Sequence, residues 1–269
     1  MIRAGLLAAG LLLVAAPASA QDEPVTERFC PNRPSLGASG CVTMPGQVQV
    51  ELSGVDWQRD DSGDAREDLT LFGDVTARIG VTRDSELQVE FTPLGTLRTR
   101  DKVTGAVSRK WGAGDTTIGY RYALSHPDGR ALSSAIQPYV TLPTGRSGIG
   151  DGDWSAGVIA PVFWQMNEKW SLDFTGRATA AANEEGGGRH FDASGVVGLG
   201  YALTDSLTAV AEFSVERDED PSGHVTQTLA AGSLAWQPTK RTQIDLLAVA
   251  GLNHDSPDLR LVLGGAFLF

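Results

Sequence analysis

The chain has 269 residues, with 22 basic and 33 acidic side chains and a formal charge of −11 at pH 7. That acidic balance argues against nucleic acid as a partner. After the N-terminus no stretch reaches the ~18 uninterrupted apolar residues of a spanning helix, which leaves an exported soluble protein or a β-barrel.

Residues 1–20, MIRAGLLAAGLLLVAAPASA, read as a signal peptide. Arg3 supplies the positive end, Leu6 to Ala16 the apolar stretch, and Ala18-Ser19-Ala20 a small-residue cleavage site. Without Arg3 the mature chain holds 21 basic and 33 acidic residues, or −12. Residues 21–45 are rich in Pro, Gly and Ser and have no periodicity. They are expected to form a periplasmic N-terminal segment, either free or folded into a barrel mouth as a plug. Cys30 and Cys41 close a short loop in an exported chain, so a disulfide is expected. A C-x10-C pair without nearby His is a poor metal site, and no metal or cofactor is expected.

From Gly46 to Phe269 a hairpin grammar recurs. Its clearest copies are GVTRDSELQVEF (80–91), GYALTDSLTAVAEF (200–213) and AWQPTKRTQIDLLAV (235–249). Each is an apolar strand end, a polar turn and a strand that alternates apolar with polar. Twelve strands are expected, near 46–57, 68–81, 85–97, 112–124, 131–142, 153–165, 169–181, 190–202, 206–216, 224–237, 241–251 and 258–269. Connections near 83, 167, 204 and 239 are tight, and the one near 127 is slightly longer. Those at 58–67, 98–111, 143–152, 182–189, 217–223 and 252–257 read as long, mostly acidic or Gly-rich loops. Short turns at one end and long loops at the other is the asymmetry of an outer-membrane barrel. An even strand count puts both termini on the turn side.

Alternation separates two faces. In the second strand Leu69, Leu71, Val75, Ala77, Ile79 and Val81 share one face, and Thr70, Asp74, Thr76 and Arg78 the other. Leu87, Val89 and Phe91 oppose Glu86, Gln88 and Glu90. Trp170, Leu172 and Phe174 oppose Asp173, Thr175 and Arg177. Leu259, Leu261, Leu263, Phe267 and Phe269 oppose Arg260, Val262, Gly264 and Ala266. In the sixth strand Trp154 and Trp164 bracket an apolar face. Ten residues at ~3.3 Å, tilted by about 40°, cover about 25 Å, the height of an outward apolar band. Tyr120, Tyr122, Trp170, Tyr201, Trp236 and Phe269 would form a turn-side girdle, with Trp57 and Trp111 on the loop side.

The expected fold is therefore all-β, a closed antiparallel transmembrane β-barrel of about twelve strands behind a short irregular segment. The alternative is a soluble sandwich or lipocalin-like barrel with its apolar face inward. The strand number and the lone acids and bases among Gly, Ala and Thr on the polar face oppose it. Pro93, Pro138 and Pro161 fall inside strands and mark bulges, strand ends or a miscounted hairpin.

No enzyme is legible. His190 and Ser194 share a face about 13 Å apart, too far for nucleophile and base. His126 and His254 lie in connections. Gly148-Ile149-Gly150-Asp151-Gly152 opens no helix, so it reads as an exterior loop and not a phosphate cradle. What remains is a charged lumen: Arg78, Glu90 and Arg121 on consecutive strands, Asp173, Glu212 and Asp245 at comparable depth, Arg177 and Arg260 higher. These residues form an internal ion-pair network, a solute-selecting constriction, or both. Twelve strands lie between a filled barrel of about eight and an open channel of about sixteen, which suggests a narrow passage.

Leu142-Pro143-Thr144-Gly145, the Gly-rich loop, Trp154 and the repeated Thr-Asp-Ser-Leu-type turns resemble the MetA-pathway of phenol degradation (transporter-like) family of outer-membrane proteins over roughly residues 45–269. The resemblance implies a Gram-negative outer-membrane barrel that passes small molecules, often aromatic or hydrophobic ones. It supplies no site residues. The functional expectation is a passive, porin-like channel, with a non-conducting structural or adhesive barrel, a lipid enzyme and a soluble periplasmic protein as rivals. Expected partners are the outer-membrane bilayer with its lipopolysaccharide, a small solute, and the barrel-insertion machinery through Phe269.

Overall fold

The computed structural model describes residues 27–61, 63–146, 148–185 and 187–269. The expected leader and its cleavage site near Ala20 lie outside the described residues.

Fourteen strands follow one another: β1 (Val48–Asp60), β2 (Ala65–Thr82), β3 (Ser85–Phe91), β4 (Leu94–Asp101), β5 (Val107–Gly112), β6 (Thr116–Ser125), β7 (Leu132–Leu142), β8 (Ser155–Gln165), β9 (Trp170–Ala182), β10 (Arg189–Thr204), β11 (Leu207–Asp218), β12 (Val225–Thr239), β13 (Thr242–Gly251) and β14 (Leu259–Leu268). Each ladder is antiparallel, and β1 pairs with both β2 and β14, so the sheet closes on itself. The closed part of the sheet has no edge, which is what a hydrocarbon environment demands, and the one strand with an unpaired side among the described residues, β5, lies at the loop end.

The fourteen segments make twelve staves. β3 pairs with the lower half of β2 and β4 with its upper half. They are one stave broken at Thr92-Pro93. β6 and β5 pair with β3 and β4 in turn, and are a second stave broken at residues 113–115. Pro93 has no N–H to donate, so the ladder cannot run through it. The amide of Gly114 donates instead to the Thr92 carbonyl at 2.8 Å across the two breaks. Pro138 and Pro161 also stand at interruptions: the β6–β7 ladder skips from Gly119↔Tyr139 to Tyr122↔Ile136, and the β7–β8 ladder from Ser134↔Val162 to Gln137↔Ile159. The prolines cost local pairing and leave the stave count at twelve.

The apolar face points out. Leu246, Leu263, Leu199 and Phe213 are exposed, while Arg78, Arg121, Glu86, Gln49 and Asp245 are buried. Trp154 and Trp164 are 47% and 48% exposed at opposite ends of β8, and Tyr120, Tyr122, Trp170, Trp236 and Phe269 are exposed toward the turn end. This is the inverse of a soluble protein, and the barrel belongs in the outer membrane.

Two expectations need correction. Leu69 and Leu71 do not share the face of Val75. Gly73, at φ +70°, bulges opposite Gly54, and the β1–β2 register passes from Ser53↔Asp74 to Val55↔Phe72. A bulge shifts the period by one. Above it Val55 and Phe72 are the outward pair, both exposed, and Leu69 and Leu71 take the lumen side. Residues 58–67 and 98–111 are also not long loops. β1 runs on to Asp60 and β2 begins at Ala65, while β4 and β5 run on to a turn at 102–106. Their charged composition suggested loops, yet cross-strand pairs such as Arg59–Asp68 at 2.9 Å hold the sheet together there.

Because Leu246 faces the hydrocarbon, Leu246→Arg should destabilise the barrel by about 2–4 kcal/mol. Denaturant titration of the folded, heat-modifiable band in vesicles would measure it, with Leu246→Ile as the neutral control.

Candidate functional site

Residues 27–47 form a strap that enters the lumen from the turn end and returns to it. Glu27 pairs with Arg241 beside the β12–β13 turn, and Arg28 donates to the Arg83 carbonyl at 2.7 Å. At its far end Val42 donates to the Pro127 carbonyl at 3.0 Å, and Pro45 bridges Gly80. A side chain at position 80 would collide with the Met44 carbonyl, so glycine lets the strap lie against the wall. Cys30 and Cys41 are disulfide-bonded, with Cα atoms 6.2 Å apart. The bond closes the inserted loop on itself.

A loop without secondary structure must find partners for its backbone. The polar lumen face supplies them. Gln49 Oε1 accepts from Cys30 N at 3.2 Å, Glu51 from Asn32 N at 3.1 Å, and Thr175 Oγ1 from Ala38 N at 2.9 Å. Ser233 Oγ donates to the Pro34 carbonyl at 3.0 Å, and Gln243 Nε2 to the Arg33 carbonyl at 2.7 Å. Staves on both sides of the barrel thereby grip one strap.

Four of the eight expected lumen residues belong to this grip. Arg78 is fully buried. It pairs with Glu51 and Glu86 at 2.9 Å each, and donates to the carbonyls of Cys30 at 2.7 Å and Cys41 at 2.9 Å. Arg121 donates to Gln137 Oε1 at 2.8 Å and Asn32 Oδ1 at 3.0 Å. Glu212 accepts from Ser35 Oγ at 2.5 Å and Leu36 N at 3.1 Å. Asp245 takes Arg33 through two of its nitrogens, at 2.8 and 3.2 Å. The other four are elsewhere. Arg260 pairs with Asp56 across β14 and β1, at 2.5 and 2.9 Å. Glu90 and Arg177 open to solvent above the strap, and Asp173 lines a cavity below it.

Glu90 does not share the layer of Arg78 and Arg121. Glu86 does, facing Arg121 across the β3–β6 ladder, with Glu51 on β1 completing the cluster. The alternation that places Glu90 on the lumen face places Glu86 there as well. Glu51 was equally legible from the Gln49, Glu51, Ser53 spacing.

The strap divides the lumen. Above it lies a vestibule of about 590 Å³, lined by Glu90, Tyr139, Asp151, Arg177, His190, Asp192, Glu216 and Asp218 among others. Below it a cavity of about 470 Å³ opens toward the turns, lined by the strap, Asp173, Lys169, Gln237 and Gln243. A third space of about 200 Å³ lies against Arg33, Glu51, Asp74, Glu90 and Arg121 on the strap's upper surface.

Residues 143–146 and 148–152 narrow the mouth. They fold inward over the break at 113–115, where Asp115 accepts from the amides of Gly145 and Asp151 at 2.7 Å each and Arg146 N donates to the Ala113 carbonyl at 2.9 Å. Ile149 lies over Gly95, where any side chain would strike it. The Leu142–Gly145 motif and its Gly-rich extension thus line the entrance. Burial, with the Asp115 carboxylate nearby, pushes the Asp151 carboxyl above its usual range.

His190 has no serine partner. Its Nδ1 lies 3.1 Å from both Asp220 Oδ2 and Asn183 Oδ1, and its Nε2 lies 3.0 Å from Asp218 Oδ1. Asp220 also accepts from the Ser222 hydroxyl at 2.6 Å, Glu184 N at 2.8 Å and Ser222 N at 2.7 Å. It therefore ties two outer loops together. Among the described residues no group of three or more His, Cys, Asp or Glu is arranged for a metal.

Arg78→Met should leave Glu51 buried without its cation and Glu86 with only Arg121 at 3.6 Å, at a cost of about 3–5 kcal/mol. Chemical denaturation would show the loss, and limited proteolysis should then cut within residues 27–47. The Ser222 hydroxyl and the Glu184 and Ser222 amides hold the Asp220 carboxyl down to about 2, below its ordinary 3.8. A lowered carboxyl stabilises the folded form above its ordinary value and loses that effect as pH falls toward the lowered one. Amide exchange at Glu184 should stay protected down to about pH 4 and lose protection toward pH 2, and Asp220→Asn should remove that protection at neutral pH.

Solved structures share the architecture. The COG4313 outer membrane channel from Pseudomonas putida F1 superposes with a TM-score of 0.67 at 15% identity, covering 85% of this chain and 97% of that one. The NanC porin gives 0.54 at 11% identity over 82% and 98%. The β domain of the Bordetella autotransporter BrkA gives 0.50 at 10% identity over 84% and 100%. At such identities the likeness speaks for the fold. No curated protein matches the chain. A family model matches residues 31–269, and so takes in most of the strap, Cys41 included, where the sequence reading began the resemblance near residue 45. With the whole barrel inside that match, the chain belongs to the family described as "Putative MetA-pathway of phenol degradation".

Proposed function

We propose that the protein is a passive outer-membrane channel for small molecules, closed at rest by its own N-terminal segment. The observation that carries this reading is the pair of polar-lined cavities, about 590 and 470 Å³, separated by one strap. A barrel built only as a scaffold has no use for a wet lumen interrupted in this way. The strap's bonds are many and individually modest, about 1 kcal/mol net for each ordinary hydrogen bond. A segment held so can shift without unfolding the barrel. Residues 21–45 act as the plug and residues 46–269 as the conduit. Nothing in this reading needs catalysis or energy coupling, and the solute moves down its gradient.

The vestibule also supports a charge preference. Glu90, Asp151, Asp192, Glu216 and Asp218 face it against Arg177. An acid-rich constriction favours cations over anions. The aromatic or hydrophobic compounds implied by the family resemblance would cross this polar passage as small dissolved molecules, with Tyr139 offering an aromatic surface. Phe269, paired through its backbone with Val48 at 2.8 and 3.1 Å and otherwise exposed, is the proposed signal for the insertion machinery.

Single-channel recording in planar bilayers tests the reading. The intact protein should conduct rarely and weakly. Deleting residues 21–45 should raise conductance severalfold, and the open form should pass potassium in preference to chloride. Glu90→Gln with Glu216→Gln should weaken that preference. If neither form conducts, the barrel is structural or adhesive.

A further inference from the structure

The outer wall above the membrane carries a feature that the channel does not use. On the chain's acidic background, five arginines gather on one patch of β1, β2, β4 and β5, on the outward face at the loop end. Arg59, Arg66 and Arg98 converge on one carboxylate, Asp68, at 2.9, 3.4 and 3.3 Å. Arg100 and Arg109 complete the patch. Both are exposed, and neither has an ion pair among the described residues. Asp68 is thus shared by three of the five guanidiniums, and Asp61 at the strand ends adds a more distant attraction to Arg59 and Arg66. The strand register fixes this placement: Arg98 faces Asp68 across β4–β2 and Arg109 across β5–β4.

An apolar groove of about 560 Å³ lies directly beneath, lined by Phe72, Leu94, Thr96 and Trp111 and capped by Arg109. The stave break at Pro93 and the bulge at Gly73 open it, because the wall there loses its regular pleat. Trp57, with the Arg59 guanidinium 4.7 Å from its ring centre, stands beside it at the interface level. Cations above and grease below describe a ligand with an anionic head and an acyl tail. Guanidinium forks match phosphate oxygens bidentately, and clustered arginines at a bilayer surface attract anionic headgroups.

We infer that this patch is a binding site for a phosphorylated glycolipid of the outer leaflet, of the lipopolysaccharide type, with its phosphates on Arg98, Arg100 and Arg109 and one acyl chain in the groove beneath. The inference rests on the transmembrane reading and on the loop end facing outward. It is independent of conduction.

The test uses the full-length protein in phosphatidylcholine vesicles doped with bisphosphorylated lipid A. The readout is the temperature at which the folded gel band is lost. Lipid A should raise that temperature in a saturable way. Dephosphorylated lipid A and millimolar inorganic phosphate should not, since one lacks the head and the other the tail. Arg100→Ala with Arg109→Ala should weaken the response by roughly thirtyfold in lipid concentration, at about 1 kcal/mol per arginine. These residues bear no ion pair, so the variant should keep its heat-modifiable fold and its conductance. Phe72→Ala with Leu94→Ala should weaken the response while leaving phosphate dependence intact. An equal response to dephosphorylated lipid A, or an unchanged response in the arginine variant, would overturn the proposal. Loss of conductance with the lipid response intact would count against the channel alone.

Discussion

A single guanidinium joins the wall of this barrel to its contents. Arg78 is fully buried, neutralised by Glu51 and Glu86 on the neighbouring staves, and still reaches the carbonyls of both disulfide-bonded cysteines. A buried charge is tolerable only when paired and hydrogen-bonded throughout. Here half of that satisfaction comes from the sheet and half from the strap. Removing the glutamates would leave the guanidinium buried without a counter-charge, and removing the strap would leave two of its N–H groups without acceptors. At rest the strap therefore has one defined seat, with a cavity above it and another below.

The rest of the lumen extends the same logic. Lipid surrounds the barrel, so polar groups are driven inward, where there is too little water to satisfy them cheaply. Asp245, Glu212, Thr175, Ser233 and Gln243 each find a partner on the strap. Above that layer the partners run out. Glu90 and Arg177 face open space, and Asp218 is held by His190. Where the strap ends, the conduit begins. A network that rigidifies and a surface that selects occupy different heights of the same lumen.

The irregularities have a common cause. Pro93 cannot donate to the ladder, and Gly73 with Gly54 absorbs the mismatch by a bulge. That bulge exchanges the faces of the upper β2, which turns Phe72 outward and Leu71 inward. It also allows β1, β2, β4 and β5 to rise beyond the aromatic belt as a paired wall, and it opens the groove under the arginines. A proline and two glycines on adjacent staves thus shape both the lumen mouth and the outer surface.

Alternation made the barrel legible. The sequence alone determined that Leu, Val and aromatic side chains line one face and acids and bases the other, since strand geometry enforces a period of two whatever the surroundings. Twelve staves, the turn end and the loop end, and the inward direction of Arg78, Glu90, Arg121, Glu212 and Asp245 follow from that period. Local spacing could not reveal the bulge at Gly73, because one extra residue leaves each half of β2 alternating correctly by itself. Nor could it distinguish a charged strand from a charged loop at 58–67 and 98–111. Partner choice lay further out of reach. Arg33 meets Asp245 from 212 positions away, and Ser35 meets Glu212 from 177. Only the closed sheet, by bringing β1 against β14 and leaving the strap nowhere but the lumen, decided which charges would be locked and which left open to a solute.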